Sequence, residues 1–303
     1  MTPPAGEEPS IRQAPPLRGR MSCDAAFRTA AGHYLQQVTA QHRDTSEGKA
    51  PAIHAMRVAL TRLRATIRFF LPMVAGSEQL RLAAELKWLN AHLGIVRDLD
   101  VALERLANLK AHRVGALDRS WKQERTACQR HLTRALRSLR YRRLIKDINA
   151  WIEQGDWSRK TGKTADRRAL PAEEYCSRTL TQWRRTLLRK SRELKQVGVR
   201  KRHRIRLTNK RFSYAIEAAA NLVPQDDAAD REAALKLLRK AQRSLGQLND
   251  DERCRALAAA LGEDKIAASE LLLGPRQKKR LLRKAATAYE ELGRLKPLRF
   301  GNG

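Results

Sequence analysis

From Ser22 onward, apolar residues recur every three or four positions, as in Leu60, Leu63, Ile67 and Phe70, within sequence dominated by Ala, Leu, Arg and Glu. That period gathers apolar side chains on one stripe of a helix, whereas on a strand it would scatter them over both faces. Strand signals are nearly absent, and an all-α fold is the expectation. Two helix ends are visible: Pro72 and Pro224 fall just after long periodic stretches, where proline lacks a donor and restricts the residue before it. At 303 residues the chain exceeds the usual single-domain size, so one large or two medium helical units are expected.

Two stretches depart from the periodic pattern. Residues 1–21 hold Pro3, Pro4, Pro9, Pro15 and Pro16 with few large apolar side chains, which predicts a disordered leader. They also lack the apolar core of a signal peptide. The segment from Gly155 to Pro171, containing SRKTGKTADRR, is polar and basic. It reads as a linker over 158–171 that separates a first half, 22–157, from a second half, 172–300.

The halves resemble each other. His54-Ala-Met-Arg57-Val58 is echoed by His203-Arg-Ile-Arg206-Leu207, 149 residues later, and Arg62-Leu63 by Arg211-Phe212 at the same offset. A second motif follows each: Lys87 with Leu93-Gly94-x-x-Arg97-Asp98 recurs as Arg239 with Leu245-Gly246-x-x-Asn249-Asp250, at an offset of 152. Two motifs in the same order at nearly equal offsets predict an internal duplication. Asp98 and Asp250, four residues after glycine, are expected to cap a following helix or to pair with an arginine.

Placed on a helix at 100° per residue, His54, Arg57, Thr61, Arg64 and Arg68 fall in one narrow stripe, away from Leu60, Leu63, Ile67 and Phe70. The stripe forms a ridge of ~21 Å at 1.5 Å per residue, longer than a single small anion requires. Arginine offers a planar fork that binds phosphate oxygens bidentately, and histidine adds a donor whose charge varies near neutral pH. The second copy keeps His203, Arg206 and Lys210 on the equivalent stripe but has Ser213 and Glu217 where the first has Arg64 and Arg68, which predicts a weaker face. Arg62 and Arg211 project away from the stripe and suit contacts to neighbouring helices. His54 and His203 fit either direct phosphate contact or a buried hydrogen bond joining the two halves.

Charge narrows the function classes. With 62 Lys and Arg against 32 Asp and Glu, the net charge of +30 calls for an anionic partner without choosing among nucleic acid, anionic membrane and polyphosphate. Aromatic residues are only 5%, which weakens base stacking as a binding mode, and no zinc-finger spacing, aromatic RNA-binding segment or basic zipper is present. Attachment to nucleic acid would therefore be nonspecific. No apolar run approaches the roughly 20 residues needed to span a bilayer, so membrane insertion is not expected. Cys23, Cys128, Cys176 and Cys254 are widely spaced and form no CxxC pair, which argues against a zinc site or a disulfide framework and for a cytoplasmic setting. No P-loop, no ExExK motif and no carboxylate cluster for Mg²⁺ accompanies the basic stripe, so neither catalysis nor a cofactor is expected. Trp88, Trp151, Trp157 and Trp183 read as core or interface anchors.

The HxxR helix followed by Lys-x6-Gly-x3-Asp, present once in this form and once with Arg239 in place of the lysine, resembles the CHAD family, the conserved histidine alpha-helical domain. The likeness runs from residue 22 to 300 and includes the segment from Ser138 to Trp151 that closes the first half. It implies two helical bundles related by pseudo-twofold symmetry, with basic helices facing a shared groove or pore that binds inorganic polyphosphate. It also implies association with polyphosphate granules. The contacts it implies are His54, Arg57, Arg64 and Arg68 in the first copy and His203, Arg206 and Lys210 in the second. Lys87 and Arg239 occupy matching places in the helices that follow, and the opening helix of each half adds Arg28 in the first and Arg185, Arg189 and Lys190 in the second.

Overall fold

A computed structural model describes residues 14–18, 20–107, 115–260 and 272–300. Among these the regular structure is helical, apart from one isolated antiparallel bridge between Ser22 and Pro171. The long helices of the first half are α1 (Cys23–Ala40), α3 (Ala50–Phe69), α5 (Ser77–Ala107), α6 (Gly115–Arg137) and α7 (Leu139–Gln154), with α2 (His42–Ser46) and α4 (Leu71–Val74) as short connectors. After α8 (Lys163–Ala169) come α9 (Ala172–Ser191), α10 (Val199–Ala218), α11 (Ala228–Ala260) and α12 (Pro275–Arg294).

The ends follow local chemistry. Ser22 caps α1 by accepting from Ala25 N at 3.2 Å, and Ser138 caps α7 by accepting from Tyr141 N at 3.2 Å. Pro72 lies in the first turn of α4, where its missing N–H costs no helical bond. Asp98 and Asp250 cap nothing: both lie inside long helices, α5 and α11, because the glycines at 94 and 246 do not end them. Asp98 instead pairs with Arg253.

Helix positions repeat along the chain. Both ends of α3 and α10 are offset by 149 residues, and so are the first residues of α1 and α9. Ser22 and Pro171 of the bridge are 149 residues apart as well.

Two compact units are present, and they do not coincide with the two sequence halves. One comprises the described parts of Met1–Gly94, Gln129–Tyr175 and Glu217–Leu222, the other those of Ile95–Cys128, Cys176–Ile216 and Val223–Gly303. The long helices explain the difference from the expected 22–157 and 172–300: α5 runs past Gly94 without a break, so its C-terminal part and the start of α6 belong with α11. There Trp121 is fully buried among Ala102, Leu106, Cys254 and Ala258.

In the first unit α1 packs along α3 and against α7 and α8. Phe27 of α1 meets Phe70, Trp151 and Trp157 edge-on at centroid distances of 5.8, 5.5 and 5.1 Å, an arrangement that suits the ring quadrupoles. The expected anchors Trp151 and Trp157 are therefore core residues. In the second unit α11 packs along α12, and the fully buried Asp251 accepts from Leu273 N at 2.6 Å and forms an ion pair with Lys278 Nζ at 2.7 Å.

The segment expected as a plain linker carries a 3₁₀ turn, Asp156–Arg159, and then α8. Its order comes from Arg168, which is buried and donates to three carbonyls, Trp157 O at 2.7 Å, Ser158 O at 2.9 Å and Lys160 O at 2.6 Å. A polar sequence hides such an anchor, since its partners are main-chain oxygens. Arg168→Ala is expected to cost roughly 2–3 kcal/mol by leaving carbonyls unsatisfied, measured by denaturant unfolding, with Arg167→Ala near neutral.

Part of the leader is also placed. Pro15 and Leu17 are buried, and Asn221 Nδ2 donates to Pro15 O at 3.3 Å. Residues 1–13 and 19 of that expected segment lie outside the described residues.

Candidate polyanion-binding site

Helix α3 is buried almost all the way round. From Ala52 to Phe69 the residues that are not buried are His54, Arg57, Thr61, Arg64 and Arg68. These five form one line along the helix at spacings of three and four. Ile53, Leu60, Leu63 and Ile67 hold the opposite side in the core. Thr61 Oγ1 donates to Arg57 O at 2.7 Å, so its hydroxyl is turned back onto the helix and the ridge is left to the histidine and the arginines. Arg68 is exposed and Arg64 half-buried; burial lowers the Arg64 guanidinium from its usual pKa, the signature of a cation held partly out of water. A cation in that setting interacts with an anion through a lower effective dielectric than one in bulk solvent.

Arg62 stands off this line, as its projection predicts. It is 5% exposed, and its Nη2 donates to Glu217 Oε2 at 3.0 Å. Tyr34 of α1 lies in the same environment: burial pushes its hydroxyl up to about 12, with Arg62 pulling the other way.

On α10 the equivalent line is shorter. His203, Arg206 and Lys210 are half-buried, Ser213 is buried, and Glu217 is committed to Arg62. His203 Nδ1 and Asn249 Oδ1 of α11 are 3.0 Å apart. With oxygen as acceptor, Nδ1 carries the hydrogen, and Nε2 then donates to an anion only when the ring is protonated. Lys210 Nζ lies 5.7 Å from the Tyr214 ring centroid.

The remaining expected contacts fall into two groups. Lys87, Arg185, Arg189 and Lys190 are exposed on α5 and α9. Arg239 is exposed but paired with Glu232 at 2.7 Å. Arg28 is bound into the first unit: its Nε donates to Asp24 Oδ1 at 2.5 Å, its Nη1 to Ile152 O at 3.3 Å, and its guanidinium lies 4.8 Å from the Trp157 ring centroid. An anion reaching Arg28 would have to compete with all three.

Sequence reasoning passed over Arg200, Arg202 and Arg204. They line a cleft between α10 and α11 with His203 and Arg206. The signal was the unbroken basic run from Arg200 to Arg204, which the search for a single helical stripe discarded. Among the described residues, no group of three or more His, Cys, Asp and Glu is placed to hold a metal ion, and no helix is long and apolar enough to cross a membrane.

Comparison with known proteins places this geometry in a family. No curated protein matched the chain. A crystal structure of the CHAD domain from the plant Ricinus communis superposes with a TM-score of 0.79 at 24% identity, covering 97% of this chain and 100% of that one. The structure named PptA from Streptomyces chartreusis superposes at 0.64 and 18% identity, covering 90% and 99%. The CHAD domain pattern itself matches residues 29–259, which contain both histidine-led helices and both glycine motifs, and the chain belongs to the CHAD domain family.

Proposed function

We propose that the chain binds inorganic polyphosphate, without cleaving it, along the α3 ridge of His54, Arg57, Arg64 and Arg68, with His203, Arg206 and Lys210 of α10 as a second set. The observation that carries this reading is the burial pattern of α3, which from Ala52 to Phe69 leaves His54, Arg57, Arg64 and Arg68 open in one line, with Thr61 alone between them. A polymer with regularly spaced charges matches such a line, and many charge-assisted contacts then add up along it. The equal offsets of α1 and α9 and of α3 and α10 support an internal duplication as the origin of the two sets. Lys87 in the first unit and Arg185, Arg189 and Lys190 in the second are exposed and add to the positive charge each unit offers an anion.

The test is competition at moderate ionic strength between long-chain polyphosphate and DNA or RNA of matched length. Polyphosphate is expected to win, with affinity falling steeply as salt rises; equal affinities would leave only diffuse attraction between opposite charges. Phosphate release from polyphosphate by the purified protein with Mg²⁺ or Mn²⁺, lost when His54 or Arg57 is replaced, would overturn the non-catalytic reading.

A further inference from the structure

A cleft of ≈ 420 Å³ lies between the first two turns of α10 and the middle of α11, wholly within the second unit. Pockets that hold small molecules span about 300–1,000 Å³. From α10 it receives Arg200, Arg202, His203 and Arg206. From α11 it receives Leu245, Leu248, Asn249 and Glu252, spaced so that they share one helix face.

Two of these features are of no use to inorganic polyphosphate. Val199, 46% exposed, also lines the cleft, and a phosphate chain has no apolar part to lay on it; Leu245 and Leu248 are buried behind the α11 face. A carboxylate among arginines repels such a chain, and Glu252 has no hydrogen-bond or ion-pair partner among the described residues that would neutralise it. The first copy of the motif handles its carboxylate differently. At the 152-residue offset Glu252 corresponds to Asp100, which is buried and held by Arg125 at 3.0 Å. Glu252 is thus an acceptor left available inside a basic cleft.

A ligand that satisfies the whole cleft has an anionic end, a flat apolar body and a hydrogen-bond donor on that body. We propose that the cleft binds a nucleoside polyphosphate. Its phosphates lie at the positive end of α10 against Arg200, Arg206 and Arg202, whose Nη1 also donates to Val197 O at 3.0 Å. Its base covers the exposed Val199, and a ribose hydroxyl or exocyclic amine donates to Glu252. Such a site goes beyond capture of an inorganic polymer and does not require it.

The experiment is calorimetric titration of the full chain with adenosine triphosphate and, separately, with inorganic triphosphate, in the wild type and in Glu252→Gln. In the wild type the nucleotide is expected to bind about tenfold tighter than inorganic triphosphate, at one site per chain. Glu252→Gln is expected to move the two ligands in opposite directions, weakening the nucleotide and strengthening inorganic triphosphate. Val199→Ser, at the exposed mouth of the cleft, is expected to weaken only the nucleotide. Inorganic triphosphate binding as tightly as the nucleotide in the wild type would overturn the proposal, and so would Glu252→Gln strengthening both equally. Long-chain polyphosphate titrated into the same wild-type preparation reports separately on the polymer-binding reading.

Discussion

Replacing Arg57 and Arg64 together by alanine is expected to lower affinity for long-chain polyphosphate by about 100-fold or more, since each charge-assisted contact contributes roughly 1.5–3 kcal/mol and 1.4 kcal/mol is a factor of ten. Both side chains lie on the open line of α3, and Arg64 is the one burial desolvates. The control must remove the same charge elsewhere. Arg159 and Arg167, exposed in and beside α8, serve as that pair, whereas Arg168 does not, because its guanidinium holds three carbonyls. The control pair is expected to change affinity by less than about threefold at 0.15 M salt, where the screening length of about 8 Å limits what distant charges contribute. Equal losses from both pairs would mean that net charge, not the ridge, holds the polymer. Arg64→Lys refines the test: it keeps the charge and loses the fork, and an intermediate affinity is expected if bidentate phosphate contact matters.

The ridge was legible in sequence because a helix turns chemistry into periodicity. His54, Arg57, Thr61, Arg64 and Arg68 share a face by spacing alone, and the apolar positions between them say which side is covered. The same logic placed Arg62 off the ridge. The end of α3 was likewise accessible through Pro72.

What sequence could not supply was anything decided by partners distant in the chain. Arg28 and Arg168 read as available cations, yet each is consumed by main-chain oxygens or by Asp24, and no local pattern marks a carbonyl as acceptor. Asp98 was expected to cap a helix or to pair with an arginine; α5 continues through Gly94, so tertiary packing rather than propensity leaves it the second role, with Arg253. That continuation also moved the described parts of 95–128 out of the first compact unit. The basic run at 200–204 was visible and undervalued, because a run that covers every helix face carries no amphipathic signal; only the neighbouring face of α11 turns it into one wall of a cleft.

Glu217 carries the second large expected effect. By position it replaces the arginine that ends the first ridge, and on that ground alone it reads as a weakened binding face. Its carboxylate instead receives the buried Arg62 at 3.0 Å, in the environment that also holds Tyr34. Removing the buried guanidinium leaves the partly buried Glu217 carboxylate without its cation, so Arg62→Ala is expected to destabilise by about 3 kcal/mol in denaturant unfolding. Replacing both partners together, Arg62→Met with Glu217→Gln, is expected to recover most of that loss, because no ionised group then remains buried alone. Polyphosphate affinity, measured well below the unfolding midpoint, is expected to stay within about threefold in the double variant, since 1.4 kcal/mol is a tenfold change and neither residue lies on the open face. A large loss of affinity with stability restored would show that Arg62 meets the polymer itself. Retained affinity would show that Arg62 and Glu217 hold α3 in the core without meeting the polymer, which separates the residues that bind from the pair that positions them.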